Sequence, residues 1–499
     1  MEADPQRASG LANCPPDILY LVFKLLSPAD YYSLSLVNKG FYLYTEPFLY
    51  SRIQWTWQVV VEPLSPPPLP QLLRTLLSRP QLATHITAVH LDGYRDDPNT
   101  FRFKLPTFRV SDGELDLDDA VAFIYRTRVP FSELWIQEVR SGSMDALVAL
   151  LLAQLSNLKH LYLGRNFTRQ STLLGMVFRL VLCQPKGGYD LPDVQHLQDV
   201  SYIIPDGEDE TRDRKMKNTA DILPYLYLPN LEHLSASIEN PAQLSWPAPH
   251  KPLAAKLMSL ELTHIREYYL AELLSVTPSL RALKWHWYYD NGVKDQFTTP
   301  VIHIDRLAAA LSSVRHTLVD LMITAHCDLG GGDVILPAVK IEGSLDDFVG
   351  FTSLRRLQAP WAFLVGFAVD TASRLEDVVP RNLEHLTITV DLQPQNELRR
   401  QPNWPQWGWT GQTVLVVLES WLCDTSCASR LPQRITLLFG WVDADYNGWD
   451  SWSPAMKSRL RELGAQAGVA CEIVELDPER FNLYFSSAKS PDPSLSLES

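Results

Sequence analysis

The sequence predicts an α/β fold: a short three-helix unit, then an irregular repeat with parallel strands inside and helices outside. Three observations predict it. Residues 14–53 spell three short helices separated by turn and capping residues. Ten leucine-rich triplets then recur along the chain, most of them separated by a helix-like run. And 46% of residues are apolar while 20% are charged, enough for a large core and too little charge for a largely disordered chain.

In the first helix, Leu19, Val22, Phe23 and Leu26 fall at i, i+3, i+4 and i+7 and make one stripe, while Ile18, Leu21 and Leu25 make a second on another face. Pro15 and Pro16 precede the helix, where a missing N–H costs nothing. Ser27 is set to cap the second helix, with Pro28 at its first position and Asp30 in its first turn. Asn38 is set to cap the third, and Pro47 to limit its length. A unit of roughly 40 residues lies near the lower size limit for unaided folding. Its second apolar face is therefore expected to meet another surface, either a partner protein or the rest of this chain.

These residues resemble the F-box, which runs roughly Leu-Pro-x-Glu-Ile-Leu, an apolar helix, Leu-x-x-x-Asp, then Leu-x-x-Val-Cys-Lys-x-Phe. Here Cys14 replaces the usual Leu, Asp17 the Glu and Asn38 the Cys, and Gly40 loosens the third helix. The resemblance implies docking onto a Skp-family adaptor of a cullin–RING ubiquitin ligase through Pro15, Pro16, Ile18, Leu19, Leu36 and Val37. The alternative is an ordinary helical cap on the domain that follows, within a non-ligase interaction scaffold.

After the helices, Ile53, Trp55, Trp57, Val59 and Val61 alternate with Gln54, Thr56, Gln58 and Val60 as in a half-buried strand. Prolines at 63, 66–68 and 70 mark a stiff loop, Gln71–Ser78 reads as a helix, and Ile86, Val89 and Leu91 open the next strand. The clearest recurrence, Leu158-Lys-His-Leu161-Tyr-Leu163-Gly-Arg-Asn166, satisfies the leucine-rich-repeat pattern. Shorter versions start at Phe131, Leu197, Leu231, Leu257, Leu280, Leu318, Leu354 and Leu383, with Ile435-Thr-Leu437 a weak last member. Helix-like runs lie between them: Asp118–Arg126, Met144–Leu155, Thr172–Cys183, Tyr268–Val276, Ile304–Val314, Thr371–Val379 and Thr413–Leu422. Each unit cannot bury its apolar face alone, so neighbours must stack into one core. The spacing runs from about 23 to 49 residues against about 20–29 for regular repeats, so the array is degenerate. The expected organisation is a disordered stretch 1–12, the F-box-like unit 13–52, the repeat solenoid with its C-terminal cap 53–485, and a polar tail 486–499.

Residues beside the leucines point to the strand face because side chains alternate. That puts His160, Tyr162, His233, Glu261, Lys284, His286, Arg356 and His385 forward as substrate-binding candidates. His160, His233 and His385 share one repeat position but lie many repeats apart, and no metal or other cofactor is expected. Trp404, Trp407, Trp409, Trp421, Trp441, Trp449 and Trp452 either close the C-terminal end of the repeat or anchor a partner. Asp443 and Asp445 form a weak paired-carboxylate signal, and no nucleophile elbow, zinc-protease or dinucleotide motif is present. Asp206–Asp213 reads as an exposed acidic loop, and Gly330-Gly-Gly332 lacks the Lys-Ser/Thr of a phosphate loop.

A net charge of −14 removes the footprint of a nucleic-acid binder. No apolar run approaches the ~18 residues needed to span a membrane. Met1–Gly10 is polar, and the six cysteines are scattered, with only Cys423 and Cys427 close together. The expected setting is therefore the cytoplasm or nucleus. The sequence thus points to a non-catalytic substrate receptor of an SCF-type ligase, whose partners would be the adaptor, the cullin–RING assembly and a protein substrate.

Overall fold

The structure is a computed structural model that describes residues 14–59, 67–97, 102–108, 115–164, 167, 172–184, 187–202, 219–290, 296–328, 339–369, 373–392, 408–424, 431–440 and 452–476. The expectations for 1–12, 206–213, 330–332, 443, 445 and the tail lie outside these residues. The chain forms an α/β fold with long runs of parallel strands. It divides into two compact units, one of Met1–Pro98, Phe103–Asn166 and Gln170–Val200, the other chiefly Ser201–Ser499.

The first unit opens with α1 (Pro16–Phe23), α2 (Pro28–Ser35) and α3 (Lys39–Leu49). Their boundaries follow the capping residues. Asp30 N–H donates to Ser27 Oγ at 3.3 Å and Ser27 N–H donates back to the Asp30 carboxylate at 2.9 Å. That bonding, led by the Ser27 side chain, holds the exposed Asp30 carboxyl below its ordinary pKa. Asn38 Oδ1 accepts from Phe41 N–H at 2.8 Å. Pro47 falls inside α3, which runs two residues past it.

Strands β1 (Arg52–Val59), β2 (Ala88–Asp97), β3 (Arg102–Lys104), β4 (His160–Leu163) and β5 (Asp199–Tyr202) follow. Strands β1, β2 and β4 are parallel neighbours, with Arg52 opposite Ala88 and Ala88 opposite His160. Their inward side chains Ile53, Trp57, Val89, Leu91, Leu161 and Leu163 are buried. Helices Leu69–Ser78, Leu117–Thr127, Ser132–Arg140, Met144–Leu152 and Leu173–Cys183 complete the unit. The expected strand at Phe131-Leu134-Ile136 is instead helix Ser132–Arg140. Trp135, Ile136 and Val139 share its buried side, Leu134 is exposed, and Glu133, Gln137, Glu138 and Arg140 fill the remainder at helical spacing.

Asp145 is buried, and its carboxylate accepts from the N–H groups of Thr172, Leu173 and Leu174 at 2.8, 2.7 and 3.3 Å. It thereby caps helix Leu173–Cys183 from 28 residues away in the chain. At Gly93, with φ +149°, an added Cβ would lie 2.0 Å from the Trp57 carbonyl oxygen and 2.6 Å from its ring. Gly93→Ala is therefore expected to destabilise the first unit by about 1–3 kcal/mol, read as a shifted urea midpoint.

In the second unit β6 (His233–Ser237), β7 (Ser259–Thr263), β8 (Ala282–Asp290), β10 (Asp320–Asp328), β12 (Arg356–Pro360), β13 (His385–Thr389), β14 (Arg434–Gly440) and β15 (Ala470–Leu476) lie side by side in chain order. Every adjacent pair is parallel. Strands β9 (Val301–His303) and β11 (Lys340–Glu342) form a separate parallel pair. The register converts the sequence pattern into a column. Leu234, Leu260, Leu283, Leu321, Leu357, Leu386 and Ile435 stand opposite one another, all buried. One backbone feature recurs at the strand starts. The carbonyls of Glu232, Met258, Arg281, Val319 and Arg355 each accept from two consecutive N–H groups of the next strand.

Helix Gly411–Cys423 matches its predicted run closely, whereas Leu375–Val378 is only the end of the predicted Thr371–Val379. Helix Pro454–Ala467 is capped by Ser453 and stopped by Gly468 in the left-handed region. The described tryptophans of the C-terminal region, Trp409, Trp421 and Trp452, are buried. Trp409 donates its Nε1–H to the Gly366 carbonyl at 2.9 Å and packs edge-on against Trp361. These three belong to the core. Trp404, Trp407, Trp441 and Trp449 lie outside the described residues.

Candidate functional site: a bare helical face and a graded strand face

The three N-terminal helices close around a small aromatic core. Leu19, Phe23, Tyr31 and Phe41 form it, with Val22, Leu26, Phe48 and Leu49 packed against it. Phe23 meets Phe41 and Phe48 edge-on with centroids 6.3 and 6.1 Å apart, and Tyr31 stacks on Phe48. The Tyr31 hydroxyl donates to the Phe23 carbonyl at 2.6 Å. Burial raises the pKa of that hydroxyl.

The outward side of the same helices is apolar too. Of the sixteen large hydrophobic side chains exposed among the described residues, nine belong to this unit: Ile18, Tyr20, Leu21, Leu25, Tyr32, Leu36, Val37, Leu43 and Tyr44. Leu25 is 88% exposed, Leu36 70% and Val37 62%. Scattered apolar residues on a surface need no explanation, but a concentration like this one does.

Of the expected docking residues, Pro15, Pro16, Ile18, Leu36 and Val37 are exposed. Leu19 is not: at 1% exposure it is part of the core, and its expected docking role is corrected to a structural one. The periodicity contains the reason, since Leu19 shares its stripe with Val22, Phe23 and Leu26. Leu21 and Leu25, on the second stripe, are exposed as that stripe implies. Tyr32, Leu43 and Tyr44 had no sequence signal, because Tyr32 follows Tyr31 and the run Phe41-Tyr42-Leu43-Tyr44 is unbroken, so periodicity does not separate outward from inward residues there.

The strand face is graded from one edge to the other. At the first outward position His233, Arg356, His385 and Arg434 are exposed. Arg356, His385 and Arg434 are opposite one another on adjacent strands, with Arg356 bonded to Asp320 at 2.9 Å and Arg434 lying 3.8 Å from Glu472. At the second position Ser235, Glu261 and Lys284 are half-buried. At the third, Ser237, Thr263, His286 and Thr324 are buried.

His286 is therefore corrected as an open substrate contact. Its Nδ1 lies 2.6 Å from Thr324 Oγ1 and its Nε2 3.3 Å from Glu261 Oε1, while Ser235 Oγ donates to Glu261 at 2.9 Å. Glu261 is likewise engaged inside this network. Burial pushes its carboxyl up, but the bond from His286 with Lys284 and Ser235 nearby outweighs it and leaves the pKa lowered. In the first unit His160 is exposed and paired with Asp199, and the half-buried Tyr162 stacks on His90 at 4.0 Å. Among the described residues no three His, Cys, Asp or Glu side chains are placed to hold a metal. The histidines at 160, 233 and 385 are not brought together into one site.

Asp391 adjoins the His286 network and accepts from Ala325 N–H at 2.8 Å. Burial pushes its carboxyl up to about 6, against the lowering effect of that bond and of Thr389. The folded chain therefore binds this proton more tightly than the unfolded chain does. Stability from this group is full below the ordinary carboxylate pKa and is lost as pH rises toward 6. Asp391→Asn, which keeps an acceptor for Ala325, is expected to flatten that slope. It should raise stability at pH 7 by on the order of 2–3 kcal/mol, measured as melting temperature against pH from 4 to 7.

Among the described residues no helix is long and apolar enough to cross a membrane. No protein-family model matches the sequence, and no curated protein matches it.

Proposed function

We propose that this chain is a non-catalytic substrate receptor of an SCF-type cullin–RING ubiquitin ligase. In this reading α1–α3 are an F-box that docks a Skp-family adaptor. The strand–helix units are a degenerate leucine-rich-repeat solenoid that holds a protein substrate. The observation that carries the reading is the apolar outward face of α1–α3, left bare at Ile18, Leu21, Leu25, Leu36 and Val37. Burying side chains of this size is worth about 1.5–3 kcal/mol each when complete, so a handful suffices for a stable complex. The first row of the strand face, with His233, Arg356 and His385 open, supports a separate role in binding protein. The contribution of the chain is proximity and orientation, and the bond-making chemistry belongs to other subunits. A receptor of this kind works in the cytoplasm or nucleus.

The test is co-purification with a recombinant Skp-family adaptor. The full chain is expected to retain it, and the Ile18→Asp, Leu36→Asp double variant to lose it while keeping its circular dichroism. An adaptor held equally well by both proteins, or by neither, would overturn the proposal.

A further inference from the structure

The connection between the three helices and the strands that follow is unusually short. The helix α3 ends at Leu49 and β1 begins at Arg52. The Ser51 carbonyl accepts from Thr87 and Ala88 N–H groups at 2.9 and 3.2 Å, so the junction is pinned to the start of β2. One covalent link still permits rotation about its own axis. A second attachment away from that axis would stop it.

Such an attachment exists. Arg79, the residue that ends helix Leu69–Ser78, donates from Nη2 to Glu46 Oε1 at 2.5 Å and from Nη1 to the Tyr42 hydroxyl at 3.1 Å. Both acceptors are on α3. Glu46 is buried, and burial pushes its carboxyl up, yet the Tyr42 and Arg79 bonds with the nearby His85 outweigh that and hold the pKa low. Tyr50, at the end of α3, faces the same group and has its pKa raised, chiefly by burial. Arg79 itself is fixed. Pro80 keeps its backbone out of the helical region, at φ −133° and ψ 71°, its N–H donates to the Thr75 carbonyl at 2.9 Å, and its carbonyl accepts from Leu82 N–H at 3.0 Å. The fork of the guanidinium thus reaches two acceptors from a preset position, which a flexible ammonium would not reproduce.

We infer that Arg79, clamped on Glu46 and Tyr42, is a positioning residue that locks the adaptor-docking helices to helix Leu69–Ser78 and the strands of the first unit. The inference rests on the ligase reading for its purpose, because a docking element passes on a defined position only when it is held rigidly by the unit that carries it. The lock itself stands on the geometry alone.

The experiment uses the full chain with a donor and an acceptor dye attached at positions 39 and 159, both exposed and both in the first unit. Single-molecule energy transfer is expected to give one narrow distribution. The Arg79→Ala variant should broaden it about twofold as the helices sample orientations, Arg79→Lys should restore it only in part, and Glu46→Gln should fall between. Adaptor affinity should stay within about threefold in all of them, since the Arg79 guanidinium bonds Tyr42 and Glu46 and none of the bare apolar side chains. In a reconstituted ligase the wild type is expected to ubiquitinate itself on a restricted set of lysines, and Arg79→Ala on a wider set. A distribution unchanged by Arg79→Ala, at unchanged circular dichroism, overturns the lock. A wild-type chain that fails to bind adaptor sinks the ligase reading instead, and leaves the energy-transfer result to decide the lock.

Discussion

Replacing Phe23 with alanine is expected to cost about 3–5 kcal/mol and to melt α1–α3 while the strands persist. Phe23 is fully buried, carries two edge-on aromatic contacts and offers its carbonyl to Tyr31. Few other side chains share the load, because among the described residues the hydrophobic cluster of these helices has four buried members, Leu19, Phe23, Tyr31 and Phe41. A unit this small has a margin of only a few kcal/mol, so one cavity of this size exhausts it. Amide hydrogen exchange should show protection lost in residues 16–49 and kept in β1 and β2. Ile18→Asp and Leu36→Asp, on solvent-facing positions of the same helices, should each change stability by less than about 1 kcal/mol. Equal destabilisation by both kinds of substitution would contradict the inside–outside assignment of these helices.

Arg266→Ala is expected to destabilise the second unit by about 3–5 kcal/mol. Arg266 is 1% exposed, and four of its five N–H donors are engaged: Nε and Nη2 bond Glu267 at 3.0 and 3.2 Å. Nη1 reaches the Thr299 carbonyl at 2.9 Å and Nη2 the Val301 carbonyl at 2.7 Å, and the group lies 4.6 Å from the Trp287 ring. Glu267 in turn accepts from His303 N–H at 3.1 Å. The truncation leaves Glu267 buried without its cation and two carbonyls without donors. An Arg266→Met, Glu267→Leu double variant should recover a large part of the loss, because it removes the orphaned charge. Urea unfolding of the three proteins checks this. A loss below about 1 kcal/mol in Arg266→Ala would mean that water replaces the guanidinium, contrary to the enclosure described here.

How much of this was legible in the sequence differs from element to element. The parallel strands were, because leucine triplets, most of them separated by a helix-like run, recur along the chain. The register then placed Leu234 through Ile435 in one column. The same triplet failed at Phe131, where the spacing fits a helix equally well and the charges on the other side decide. The helical face was legible as the stripe of Ile18, Leu21 and Leu25. Leu19 was misplaced only where motif position was preferred to its own periodicity. On the strand face, alternation gave the side correctly but not the depth. The strands β8 and β10 run nine residues, and their later outward positions, His286 and Thr324, are roofed over and bonded to each other. The clamp of Arg79 on Glu46 had no sequence signal, since 33 residues separate the partners.

We propose that the bare face of α1–α3 is a protein-docking surface for a Skp-family adaptor. The decisive experiment is hydrogen–deuterium exchange of the full chain, with and without purified adaptor at saturating concentration. New protection is expected only in residues 16–44, strongest around Leu21–Leu25 and Leu36–Val37, with the strand face unchanged. Absence of any protection there, or protection centred on β6–β14 instead, would contradict it.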